Sequence, residues 1–84
     1  MTCVDYQPLC KRVMSRCREA YMNTSLTLDD LGTRMGYPPA SARKSAWQFL
    51  NNTTDPRLSM LLRFGEAVGC DVRDFFDQTW EASL

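Results

Sequence analysis

Apolar side chains recur at spacings of three and four along most of the chain, and no stretch alternates with the two-residue period of a strand. Over residues 8–22 they are Leu9, Cys10, Val13, Met14, Cys17, Ala20 and Tyr21, which form one face of an amphipathic helix. Pro8 suits the first turn of that helix, and Lys11, Arg12, Arg16, Arg18 and Glu19 fall mostly off the apolar face. Asn23-Thr24-Ser25 interrupts the pattern. Thr27 then stands three residues ahead of Asp30, a cap-like arrangement, and Leu28, Leu31 and Met35 give a second helix its apolar side. Asp29 and Asp30 sit at its positive N-terminal end, and Gly36 can close it in a left-handed conformation.

Tyr37-Pro38-Pro39 reads as a stiff turn, followed by a third helix over residues 40–50 with Ala42, Ala46, Trp47, Phe49 and Leu50. After the polar loop 51–55, Asp55-Pro56 reads as a cap with proline at the first helical position. Leu58, Leu61, Leu62, Phe64, Ala67 and Val68 make a fourth, strongly apolar helix ending at Gly69. Asp71 caps a short fifth helix holding Val72, Phe75 and Phe76. The expectation is an all-α, compact five-helix domain, a single unit over residues 1–84 with a C-terminal tail at 77–84.

Composition narrows the function classes. The 84 residues suffice for one domain, and 44% hydrophobic content is too high for a disordered chain. Histidine is absent, which removes Ser-His and Cys-His nucleophile pairs, imidazole zinc sites and imidazole pH switches. No nucleophile–base pair can be named, so the protein is not expected to be an enzyme, and no cofactor is expected. Cys3, Cys10 and Cys17 recur every seven residues, about 10 Å apart on a helix, too far for a disulfide between neighbours. No C-x-x-C pair marks a metal site, so Cys10, Cys17 and Cys70 are expected as small core residues and Cys3 near an exposed terminus. No apolar run reaches the roughly 18 residues of a membrane span, and Met1-Thr2-Cys3-Val4-Asp5 lacks the features of a secretion signal. A cytoplasmic protein that does not contact the membrane is expected.

Charge adds order that the total conceals. Ten Lys and Arg balance ten Asp and Glu, yet residues 34–63 carry Arg34, Arg43, Lys44, Arg57 and Arg63 against Asp55 alone, a net of +4. Residues 64–84 carry Arg73 against Glu66, Asp71, Asp74, Asp77 and Glu81, a net of −4. The third helix and its flanks are therefore a basic zone, either a solvated face or a nucleic-acid site.

The order of residues 26–76 resembles the helix-turn-helix domain of the Cro-type phage-repressor (xenobiotic-response-element) family. Leu26-Thr27-Leu28-Asp29-Asp30-Leu31-Gly32-Thr33-Arg34-Met35-Gly36-Tyr37 is similar to that family's second helix and turn. Asn51, Asp55-Pro56, Leu58-Ser59-Met60-Leu61-Leu62-Arg63-Phe64 and Gly69-Cys70-Asp71-Val72-Arg73-Asp74-Phe75-Phe76 are similar to its loop, fourth helix and closing segment. The pattern departs at Leu28, where the family usually has a Gln that contacts a phosphate. It departs again at Leu50-Asn51-Asn52-Thr53, which lacks the loop's usual basic residue, and in about four extra residues between Gly36 and Asn51.

The resemblance implies a sequence-specific DNA-binding transcriptional regulator, with repression the expected sign, and the third helix in the major groove of double-stranded DNA. Arg43 would contact guanine and Gln48 adenine, and Lys44 and Ser45 would meet phosphates or base edges. Asn51, Asn52 and Thr53 would offer donors to a phosphate at the helix end, and Ser41 opens the same helix. Trp47, beside Phe49 and Ala46, is expected in the core. The alternative is a protein-interaction module on the same fold, an antitoxin-like or anti-repressor partner that does not bind DNA. Val4, Tyr6, Trp80 and Leu84 lie outside the five-helix core; the tail either forms a homodimer contact or folds Trp80 onto the first helix.

Overall fold

Short-range hydrogen bonds mark where the helices of this chain start and stop. The structure, a computed structural model, describes residues 7–76. The expectations for Cys3, Val4, Tyr6, Trp80, Leu84 and the tail 77–84 lie outside those residues. Four α-helices follow in order, α1 (Gln7–Met22), α2 (Leu28–Arg34), α3 (Ala42–Asn52) and α4 (Leu58–Val68), and then a 3-10 turn at Val72–Phe75. No strand occurs among the described residues, so the chain is all-α there. The expected fifth helix is the 3-10 turn. Asp71 caps it as expected, accepting from the Arg73 amide at 2.9 Å, but four residues make only a single tight turn.

α2 starts on a capping box. The Thr27 side chain accepts from the Asp30 amide at 3.1 Å, and the Asp30 carboxylate accepts from the Thr27 amide at 3.3 Å. It stops at Gly36, whose φ of 95° belongs to the left-handed region that only glycine enters at no steric cost. The Tyr37 and Gly36 amides then reach back to the carbonyls of Gly32 and Thr33, each at 3.0 Å, which is the Schellman ending. α4 ends in the same way at Gly69, with φ 76° and ψ 28°.

Two expected helix starts are corrected. α3 begins at Ala42, because the Ser41 amide is turned back to the Pro38 carbonyl at 3.0 Å. α4 begins at Leu58, so Asp55 is not its cap and Pro56 lies outside it. Arg57 takes the cap position, extended in backbone, and its carbonyl accepts from Met60 and Leu61 at 3.0 and 3.1 Å.

The core is formed by Val13, Met14 and Cys17 of α1, Leu31 and Met35, Ala46, Phe49 and Leu50 of α3, Leu61, Phe64 and Ala67 of α4, and Phe75. Phe64 is fully buried and has Phe49 and Phe75 on either side, both ring centroids 5.4 Å away and tilted. Cys17 is also fully buried, and loss of solvation pushes its thiol up to about 12, a little offset by Arg18 nearby. It stays protonated and packs as an apolar residue, as expected, whereas Cys10 and Cys70 are half-buried at the margin.

Trp47 departs from the expectation. Its side chain is 48% exposed, because the buried residues Ala42, Ala46, Phe49 and Leu50 define a single face of α3. At about 100° per residue, position 47 points away from that face. Leu58 and Leu62, one turn apart on α4, are also exposed for the same reason. None of the described helices is long and apolar enough to cross a membrane.

α2 packs chiefly on α3. At Gly32 a Cβ atom would stand about 2.1 Å from the carbonyl oxygen of Ala42, so only glycine allows this approach without movement of the backbone. This contact fixes where the outer face of α3 points.

Candidate functional site

α3 presents two rows of side chains outward, Arg43–Trp47–Asn51 and Lys44–Gln48–Asn52, each spaced by four residues. All six are exposed. Ala42–Asn52 contains two cations and no carboxylate. Arg43 and Lys44 occupy its first turn, where the helix dipole is positive and disfavours cations by about 0.3–1 kcal/mol each. α3 also lacks a side-chain cap: Ser41 is in cap position, but its hydroxyl donates to the Pro38 carbonyl at 3.4 Å. The N-terminal end of α3 therefore concentrates positive potential that nothing among its own residues neutralises.

The far end is anchored. The Arg18 guanidinium donates to the Leu50 carbonyl at 3.0 Å, supplying a cation to the negative C-terminal turn. α1 thus supports α3 through an arginine that the sequence pattern places only on a polar face.

Three open grooves flank the outer face. One, of about 440 Å³, is lined by Leu28, Ala40, Arg43, Lys44, Trp47 and Gln48. A second, of about 540 Å³, runs between α3 and the start of α4, where Ser45, Gln48, Asn52 and Thr53 face Asp55 and Arg57. A smaller one of about 200 Å³ lies on the other side of Trp47, with Met22, Leu28 and Asn51 among its walls. Gln48 is shared by the first two, and Leu28 and Trp47 by the first and third.

The structure thus brings seven of the eight expected site residues onto or beside these grooves, but not as one set. Arg43, Lys44 and Gln48 group with the apolar pair Leu28 and Trp47, while Ser45, Asn52 and Thr53 group with Arg57. Asn51 donates its amide back to the Trp47 carbonyl at 3.0 Å, and the Thr53 hydroxyl donates to the Gln48 carbonyl at 3.5 Å. Both spend a donor on their own helix. Ser41 is spent on the turn, as described above.

Sequence reasoning missed Arg57 and the outward position of Trp47. Arg57 lies nine residues beyond Gln48, and the loop that leads from Thr53 into α4 brings it to the same groove. Trp47 carried a usable signal, since Ala42, Ala46, Phe49 and Leu50 already complete an inner face without it. The basic zone of residues 34–63 also divides. Arg34 donates to the Ala67 carbonyl at 3.2 Å and faces α4, whereas Arg43, Lys44 and Arg57 border the α3 grooves.

Among the described residues no three of Cys, Asp or Glu stand together as metal ligands. No family model, curated protein or solved structure matches the chain.

Proposed function

We propose that the protein is a sequence-specific regulator of transcription that binds double-stranded DNA, with α2 and α3 acting as a helix-turn-helix and α3 entering the major groove as the recognition helix. The observation that carries this reading is the first turn of α3. Arg43 and Lys44 sit uncapped at the positive end of a helix that has no carboxylate, a placement that costs stability and suits an anionic ligand. Neutralising about three to five phosphates per domain would recover that cost through counterion release. The sequence resemblance over residues 26–76 supports the same assignment, as does Gln48 exposed one turn further along, with the bidentate amide that adenine requires.

A mobility-shift or anisotropy titration against diverse duplexes at low salt tests the reading. Affinity should fall log-linearly with salt, with a slope of about −2.7 to −4.5 per domain for that number of phosphates. Affinity unchanged between low and physiological salt contradicts it. A two-fold homodimer through residues 77–84 would double the base contacts and read half-sites about 34 Å apart. Truncation after Asp77 should then yield a monomer with weakened operator binding. Repression is the expected sign of regulation, and the cytoplasm the expected compartment.

One observation favours a second reading. The Leu28–Trp47 surface beside Met22 is more apolar than phosphate binding requires, and it suits a protein partner of the antitoxin-like or anti-repressor kind. Absence of any duplex binding at low salt selects that reading.

A further inference from the structure

Trp47 and Leu28 have no part in the phosphate and base contacts proposed above for Arg43, Lys44 and Gln48. An indole left 48% exposed is costly, and it stands in the middle of the outer face of α3, between Arg43 and Asn51 along one row. Leu28, from the first turn of α2, lines two grooves together with it. The larger groove also holds Arg43, Lys44 and Gln48 and has no carboxylate in its walls. Its occupant must therefore offer a small apolar group within a few ångströms of hydrogen-bond acceptors, on a body that is negative overall.

Resting on the DNA-binding reading above, we infer that Trp47 and Leu28 form an apolar surface that reads a C5-methyl group in the major groove, so that the operator half-site carries a thymine beside the bases facing Arg43 and Gln48. Thymine presents that methyl next to acceptors that distinguish each base pair. Gln48 facing the adenine of a pair and Trp47 facing a thymine methyl of the same or a neighbouring pair are compatible roles for residues adjacent on one helix turn. The indole does not stack on a base, since the bases of a duplex are already stacked. 5-Methylcytosine presents the same methyl at C5 of a pyrimidine that carries a 4-amino group in place of the 4-oxo group, so the two sources share one chemistry. An acidic amphipathic helix is the competing occupant. The first-turn cations of α3, together with the amide of Gln48 in the same groove, favour the duplex.

The test starts from the tightest duplex selected out of a random pool with the full chain, titrated by fluorescence anisotropy. Each thymine is replaced in turn by deoxyuridine, which removes only the methyl. One replacement per half-site should weaken binding about three- to fivefold, the worth of one buried methyl-sized group. Trp47→Ala should keep its helicity, bind the thymine duplex more weakly, and lose the discrimination between thymine and deoxyuridine, while Trp47→Phe should retain most of it. With cytosine at that position, 5-methylation should recover part of the affinity. Specific binding that is indifferent to every deoxyuridine overturns this inference and leaves the DNA reading standing. If no duplex is selected, both fall and the surface passes to a protein partner.

Discussion

α2 begins with a reciprocal capping box and with Asp29 and Asp30 in its first turn, and it ends on Arg34, so every charge agrees with its dipole. α3, on the other side of a short turn, begins without a side-chain cap and with Arg43 and Lys44 where carboxylates would be favourable. Both helices bury residues in the same core, and they touch at Gly32 and Ala42. The difference lies in what each exposes. α2 uses its end groups to hold itself in place at only seven residues, a length at which an isolated helix is not stable. α3 draws its stability from buried Ala42, Ala46, Phe49 and Leu50 and from the Arg18 bond at its far end, so its first turn can carry charges that do nothing to hold the helix.

The change that erases this contrast is Gly32→Val. Its branched side chain would meet the Ala42 backbone, which cannot turn aside as a side chain can. We expect a loss of about 3 kcal/mol of stability, the upper range for overpacking, together with the loss of any DNA binding that depends on the angle of α3. Urea unfolding monitored by circular dichroism checks the first, and an anisotropy titration the second. A variant as stable as the parent would show that the α2–α3 contact is loose, and α3 would then not be held in one orientation by its neighbour.

Much of this fold was legible before the structure because it rests on local chemistry. The Thr27–Asp30 box, the Gly36 and Gly69 endings and the Asp71 cap each involve residues within five positions of one another. The inner face of α1 follows from spacing in the same way. What escaped is non-local or depends on direction. Proline at 56 resembles a helix start, but the first hydrogen bonds of α4 go to the Arg57 carbonyl, so the helix opens two residues later. Trp47 is apolar and near Phe49, yet it lies off the buried face, and apolar character alone does not choose a direction. Arg18 on the Leu50 carbonyl depends on how helices distant in sequence pack, which no spacing rule contains, and Arg57 reaches the groove beside Asn52 through the path of the connecting loop. The candidate site was likewise read as one list of eight residues, whereas Arg43, Lys44 and Gln48 line one groove, Ser45, Gln48, Asn52 and Thr53 a second and Asn51 a third, and Ser41 lines none of the three.

If the outer turn of α3 is specialised for a ligand, removing its charge should separate binding from stability. Arg43→Ala is expected to cost about 1–3 kcal/mol of affinity on the preferred duplex and to relax discrimination at one base pair. Stability should stay within about 0.5 kcal/mol, or rise slightly, because the substitution removes a cation from the positive end of a helix. Parallel titrations on the selected site and on random DNA check this together with the urea midpoint. Equal losses on both duplexes would reassign Arg43 to a phosphate. A clear fall in stability would mean that the first turn of α3 supports the fold, and its contrast with α2 would be lost.

The smallest expected effect is at the start of α2, and it should run in the opposite direction. Thr27→Ala removes the side-chain acceptor of the Asp30 amide at 3.1 Å, leaving one helix-start donor to water, at a cost of about 1 kcal/mol. For a domain of this size that is a fall of about 4–8 °C in Tm. Thr27→Ser keeps the oxygen in place and should restore most of the loss. Asp30→Ala breaks the reciprocal half of the box, so its effect and that of Thr27→Ala should be less than additive in the double variant. The Thr27 oxygen faces its own helix, so affinity per folded molecule and the salt slope should not change. Thermal melts of the four variants beside anisotropy titrations at two salt concentrations provide the measurement. A Thr27→Ala protein that melts like the parent but binds DNA more weakly would put the Thr27 hydroxyl itself on the binding surface, and its assignment to holding α2 in place would fail.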